Sequence, residues 1–178
     1  MIKIFIIEKN SSISEEVYDF LVSLCSEYKK TQIIKKKKRD DRENSLIGNA
    51  LAKYAIKSVF GIPAVNQKFG YTDNQKPYLE NYDNIHFSIS HSGLLVVCSV
   101  SDMPVGIDVI KKRTVSEKIA ELIGADKNAE VLNIWTKKEA VIKKEGSGIF
   151  KKSLKKIDIS KTKTFLYKDY YISVSGEF

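Results

Sequence analysis

Residues 84–110 read N-I-H-F-S-I-S-H-S-G-L-L-V-V-C-S-V-S-D-M-P-V-G-I-D-V-I. Ile85, Phe87 and Ile89 alternate with His86, Ser88 and Ser90, the two-residue period of a strand with one apolar and one polar face. Ser92-Gly93 supplies a turn, and the apolar run Leu94 to Val100 returns as the second strand of a hairpin. After Pro104 a short strand spans Val105 to Ile110. Outside this stretch the apolar spacing is mostly helical. Upstream, a strand at Met1 to Glu8 precedes a helix capped near Ser14 and running through Leu24, with Val17, Phe20, Leu21 and Leu24 at helical spacing. Glu27 to Arg42 is dense in lysine and helical in part. Leu46, Ala50, Leu51, Tyr54, Ala55 and Val59 mark an amphipathic helix that stops at Gly61-Ile62-Pro63. Gly70 to Asp83 is turn-rich and polar. Downstream come a helix from about Val115 to Ile123, another around Trp135, and strands at Lys163 to Tyr167 and Tyr170 to Ser175. The sequence thus predicts an α+β fold in which strand, helices and hairpin occur roughly twice, with a division near Ser101 to Pro104.

A chain of 178 residues can bury a sizeable core as one compact unit. The apolar run Ile4 to Ile7 is too short for a membrane span or a signal segment, so a cytoplasmic protein with no membrane partner is expected. Cys25 and Cys98 lie in apolar contexts without metal-ligand spacing and read as free buried thiols of a reducing compartment. The net charge of +8 suits any acidic partner: nucleic acid, an anionic membrane, an acidic protein or a polyphosphate. Lys35-Lys36-Lys37-Lys38-Arg39 is the loudest basic run, and such runs usually form a solvated face.

Residues 135–146 read W-T-K-K-E-A-V-I-K-K-E-G. On a helix Trp135, Glu139 and Lys143 fall along one side, and Gly146 suits the position just past the end. Val131, Ile134, Trp135, Val141 and Ile142 form the expected apolar stripe, with Glu139 and Lys143 at its edge. A carboxylate and an ammonium on one helix edge, with Asp108 after a Gly-Ile turn, suit metal-assisted chemistry on a phosphate. Taken alone, Glu139 and Lys143 read more readily as a surface ion pair on an amphipathic helix.

N-I-H-F-S-I-S-H-S-G from Asn84, V-G-I-D-V from Val105 and W-T-K-K-E-A-V-I-K-K-E-G from Trp135 occur in one order, with K-P-Y at Lys76 before them. In that order and spacing they resemble the 4′-phosphopantetheinyl transferases of the surfactin-synthetase-activating (Sfp) type. The resemblance implies two similar α/β halves in a pseudo-dimeric fold, with short antiparallel sheets packed by helices. Residues 1–102 would carry the nucleotide contacts, and residues 103–178 the metal, catalytic and carrier-protein contacts. It implies coenzyme A as co-substrate, Mg2+ as cofactor, an acidic apo acyl, peptidyl or polyketide carrier protein as partner, and a monomer.

Carried over residue by residue, Asp108 and Glu139 match the family's metal ligands, with Glu139 also the candidate base. Lys143 matches the active-site lysine, and His91 the histidine near the coenzyme A 3′-phosphate, with Ser90 adding a hydroxyl. Lys29, Ser45 and Lys76 match further cofactor contacts. Ser and His in adjacent positions cannot form a hydrolytic triad, which needs convergence from separate segments. Two departures stand out. Ile110 replaces the second acid of a G-I-D-x-E pattern, and Asn44 replaces an Arg, whose charge Arg42 could supply. No acid between Asp108 and Trp135 matches firmly; Glu117 and Glu121 are candidates. The alternative readings are a small basic nucleic-acid-binding module and a catalytically weak transferase relative. Against the first, the chain has no interleaved aromatic platform, zinc pattern or recognition helix.

Overall fold

The computed structural model describes residues 1–125, 131–148 and 154–178. In chain order the elements are β1 (Lys3–Glu8), α1 (Glu15–Ser23), α2 (Glu27–Ile34), α3 (Arg39–Phe60), β2 (Phe69–Tyr71), β3 (Pro77–Leu79), β4 (His86–Ser92) and β5 (Leu95–Ser101). There follow β6 (Gly106–Lys111), α4 (Glu117–Ile123), α5 (Val131–Glu145), β7 (Thr162–Tyr167) and β8 (Tyr170–Ser175). Two three-stranded antiparallel sheets, β1-β5-β4 and β6-β8-β7, meet through β4 and β6, and a small β2-β3 pair lies beside β4. In each larger sheet the third strand in sequence lies in the middle, and helices enter between the first and second. The architecture is α+β, as the sequence predicts.

Local chemistry explains most boundaries. The Ser14 side chain accepts from the Val17 amide and caps α1, and Ser26 does the same for α2 through Lys29. Helix α3 begins at Arg39, seven residues before the apolar period becomes visible at Leu46, and ends at Gly61 in the left-handed conformation. The hairpin turn is Gly93-Leu94 rather than Ser92-Gly93, because Ser92 still pairs with Leu95. Within Gly70 to Asp83, expected to be turn-rich throughout, Phe69–Tyr71 and Pro77–Leu79 pair as short strands. On α1 only Leu21 is buried, while Phe20 is 61% exposed, so the expected stripe of that helix is much narrower.

Strand β5 is buried on both faces. Val96, Cys98 and Val100 pack with Leu46, Leu51, Ala55 and Ile56 of α3 and with Phe87 of β4. Leu95 and Val97 turn the other way, onto Val105, Ile107, Val109, Ile172 and Val174 of the second sheet. That explains the unbroken apolar run, since a strand with two covered faces has no reason to alternate. Each fully buried side chain of this size contributes roughly 1.5–3 kcal/mol. Both cysteines are free and buried.

Two close approaches fix the second half. A Cβ at Gly106 would stand 2.0 Å from the Ala140 carbonyl oxygen and 2.4 Å from the Lys144 amide nitrogen, so α5 lies directly on the β6 backbone. Consequently the small residues Thr136 and Ala140 are buried, and Trp135 and Ile134 turn toward Ile123, Ile142 and Leu154. Val131, Ile134, Trp135 and Ile142 of the expected stripe thus pack around Ile123 and Leu154, and a second face of small residues covers the sheet. The other approach joins the sheets. Ser88, Ser90 and Ser92 of β4 accept from the backbone amides of Ile107, Val109 and Lys111 of β6, at 3.2, 3.3 and 3.1 Å. Three hydroxyls thus stand where a backbone ladder would be, and the two edge strands run parallel.

Candidate active site

The seam between β4 and β6 is also where the charged residues gather. Asp108, on β6, is buried beneath α5, and its Oδ1 accepts from Ser90 Oγ at 2.8 Å and from Lys143 Nζ at 2.7 Å. Lys143 Nζ lies 2.8 Å from the same Ser90 hydroxyl. Glu139, one turn earlier on α5, is only 7% exposed, and its Oε1 is buried without a hydrogen-bond partner. Burial first, and then the neighbouring charge of Asp108, push the Glu139 carboxyl up to about 7, with Lys143 partly opposing.

Three neighbouring chambers share lining residues and together make up a groove. The first, of about 470 Å³, is lined by His91, Asp108, Ile110, Trp135 and Glu139, with Arg113 and Lys111 at its rim. The second, about 450 Å³, shares Glu139 and adds Lys76, Ser88, Ile89 and Lys143. The third, about 440 Å³, shares His91 with the first and Gln75, Pro77 and Ile89 with the second, and holds Lys29, Lys35, Lys36 and Ser45. Seven of the eight residues singled out from the sequence line this groove, and Ser90 lies at once beneath it.

Their surroundings differ from the expectation in places. The Ser90 hydroxyl gives its one proton to Asp108 and accepts from Val109 and Lys143, so it orients the carboxylate rather than facing an open anion site. Lys76 donates to the Lys144 carbonyl at 2.5 Å, and Asn74 donates to the Gly146 carbonyl at 2.8 Å. These bonds clamp the β2–β3 loop onto the C-terminal end of α5, and leave the Lys76 stem on the groove wall. Asn44 is buried and donates to the Gly93 carbonyl, while Arg42 donates to the carbonyls of Lys36 and Lys37, and neither lines the groove. Glu117 and Glu121 stand on α4, away from the groove lining. Lys35 and Lys36 do line it, but Arg39 instead holds Glu15 and the fully buried Glu43, which also binds Lys9. The basic run is therefore divided between a site and a structural network.

His91 sits among cations. Burial, followed by the charges of Lys36 and Lys143, lowers its pKa to about 4, so its ring is neutral at pH 7. Burial and Lys36 likewise pull Lys29 below the ordinary lysine value. Among the described residues Lys29, Lys35 and Lys36 form no ion pair. A concave site with unpaired ammonium groups and a histidine at its edge suits a multiply charged anion.

Asp108 and Glu139 also fit one hard divalent cation, which takes one or two carboxylates and completes its shell with phosphate oxygens and water. The unpartnered Glu139 Oε1 is the observation that supports the fit, since an ion would satisfy it. Among the described residues no group of three or more His, Cys, Asp or Glu side chains converges. Ile110 lines the same chamber as Asp108, so an apolar side chain occupies that wall.

The raised Glu139 pKa has a thermodynamic sign. The folded chain binds this proton more tightly than the unfolded chain, so the stabilisation is complete below about pH 4.5 and is lost as pH rises through about 7. Without divalent metal, Glu139→Gln should melt close to the parent at pH 5 and above it at pH 8. A pH-independent difference in melting temperature would show that Glu139 is not so perturbed.

Residues 11–102 match the family model described as 4′-phosphopantetheinyl transferase, N-terminal. The chain is 32% identical to the 4′-phosphopantetheinyl transferase gsp of Aneurinibacillus migulanus, over 94% of its own length and 76% of that protein's. It is 28% identical to the 4′-phosphopantetheinyl transferase Sfp of Bacillus subtilis, over 83% of its own length and 71% of that protein's. Among the described residues no helix is long and apolar enough to cross a membrane. With a family model covering half the chain and a relative matched along nearly all of it, the protein belongs to the 4′-phosphopantetheinyl transferases.

Proposed function

We propose that the protein transfers the 4′-phosphopantetheine arm of coenzyme A to a serine of an acidic apo carrier protein in the cytoplasm, releasing 3′,5′-ADP. The observation that carries this reading is the meeting of Asp108, Glu139 and Lys143 in a groove that continues to His91 and three unpaired lysines. The carrier serine oxygen attacks the β-phosphate, a P–O bond forms to it, and the bond to the ADP oxygen breaks. In our assignment residues 1–102 hold the nucleotide through Lys29, Ser45, Lys76 and His91, and residues 103–178 carry the reacting centre. Asp108 and Glu139 would hold Mg2+, which supplies charge neutralisation on the pyrophosphate. Glu139 takes the serine proton directly or through water. Lys143 offsets negative charge as the leaving group separates.

The deciding experiment is incubation with coenzyme A, magnesium and apo carrier proteins of several types. A mass gain of one phosphopantetheine on the carrier serine is expected. No gain on any carrier, together with tight salt-sensitive binding of nucleic acid, would reverse the assignment in favour of the basic binding module.

Two variants test individual contacts. His91→Ala should raise KM for coenzyme A roughly tenfold or more and leave dephospho-coenzyme A nearly unchanged, as removal of a bond worth about 1.5–3 kcal/mol to the 3′-phosphate requires. Equal effects on both substrates would remove His91 from that phosphate. Ile110→Glu places a carboxylate on the chamber wall shared with Asp108 and should lower the half-saturating magnesium concentration, with the rate changed only modestly. If a folded variant titrates like the parent, residue 110 does not face the ion.

A further inference from the structure

Asp108 is met by side chains from two other elements. Ser90 of β4 and Lys143 of α5 both reach its Oδ1, and they also reach each other. The ammonium is therefore placed by two acceptors. Its position is pinned further because the Ser90 hydroxyl has both lone pairs engaged, by Lys143 and by the Val109 amide. One turn earlier, Glu139 Oε1 has no partner at all. One carboxylate of the pair is thus ion-paired within the chain, while Oε1 of the other has no hydrogen-bond partner.

We infer that Lys143 is an internal counterion that competes with the divalent cation for Asp108, and that the coenzyme A pyrophosphate relieves the competition by drawing the ammonium away. The inference rests on the magnesium and coenzyme A reading of the groove. An ammonium and a divalent ion beside the same carboxylate repel one another strongly at these distances, even at the effective dielectric of a half-buried site. The lysine has somewhere to go. Its side chain is 30% exposed and lines the neighbouring chamber of about 450 Å³, which shares Glu139 as a wall with the chamber holding Asp108. A pyrophosphate in that space supplies a replacement partner for the ammonium and oxygen ligands for the ion together. Cation and coenzyme A then favour one another's binding, and the coupling is reciprocal. The same residue that assists the leaving group thereby keeps the free protein from loading metal without substrate.

The test is calorimetric titration of magnesium into parent, Lys143→Met and Lys143→Arg, with and without saturating coenzyme A and without carrier protein. Without coenzyme A, Lys143→Met should bind magnesium roughly tenfold or more tighter than the parent, the scale of one charge removed from a half-buried site. Lys143→Arg, which keeps the charge, should stay near the parent. Coenzyme A should tighten magnesium binding less in Lys143→Met than in the parent. Lys143→Gln gives a second neutral side chain should the methionine variant fold poorly, with the same tightening expected. Equal or weaker magnesium binding by folded neutral variants, with a parent that still modifies carrier protein, overturns the counterion inference alone. A parent that binds no magnesium even with coenzyme A overturns the inference and the metal assignment together.

Discussion

Replacing either Asp108 or Glu139 by alanine is expected to lower the transfer rate at least about a hundredfold, the scale at which one key electrostatic element counts. The two variants should nevertheless differ in stability. Asp108→Ala removes the acceptor of both Ser90 and Lys143, so a loss of about 1 kcal/mol is expected. Glu139→Ala removes a buried carboxylate that the fold holds against its tendency to ionise, so at pH 8 the variant should be as stable as the parent or more so. Chemical denaturation at pH 8 paired with the carrier-modification rate separates the effects. Near-parental activity of either variant at limiting magnesium would remove that residue from the metal assignment.

The second large effect comes from a residue without a functional group. Gly106→Ala should cost about 1–3 kcal/mol of stability and at least roughly a hundredfold in rate. The added Cβ would meet the Ala140 carbonyl oxygen at 2.0 Å and the Lys144 amide nitrogen at 2.4 Å, and neither can rotate aside because both belong to a helix backbone. Helix α5 must lift from β6, which separates Glu139 and Lys143 from Asp108. A displacement near 1 Å suffices for such a rate loss. Coenzyme A binding through the proposed contacts of Lys29, Ser45 and His91, none of which lies on α5 or β6, should change far less. If Gly106→Ala keeps both stability and rate, the α5–β6 contact is not what sets the geometry of the acids.

Asp108, Glu139 and Lys143 could be singled out as candidates because they sit in two short motifs that resemble those of the transferase family, Asp108 after Gly106-Ile107, and Glu139 and Lys143 one turn apart after Trp135. Their convergence was not legible, since it depends on a packing distance set by a missing Cβ at residue 106. For the same reason the second buried face of α5 was missed. Small residues Thr136 and Ala140 carry little hydrophobic signal, yet they face the sheet because the backbone comes so close. Strands β2 and β3 were invisible because three residues cannot display a period, and a proline and a glycine within them imitate turns. The division of the basic run was hidden as well. Arg39 finds Glu43 four residues on, but Glu43 also binds Lys9, 34 residues earlier, and only the fold brings that lysine near. The alternating serines of β4 did announce a polar face, although nothing in the alternation says that it meets backbone amides of another strand.

That seam constrains how the chain can change length. Ser88, Ser90 and Ser92 meet residues 107, 109 and 111, always at a separation of 19 residues. A strand presents every second amide to the same side, so slipping β6 by one position would turn those amides away from β4 and rotate Asp108 out of the groove. Insertions and deletions in the Asp102 to Val105 connection are therefore absorbed only if the connection bulges or tightens without moving β6. Drift in loop length is tolerable there. Drift in register is not, because the joint between the sheets and the aim of the acid are read from the same strand.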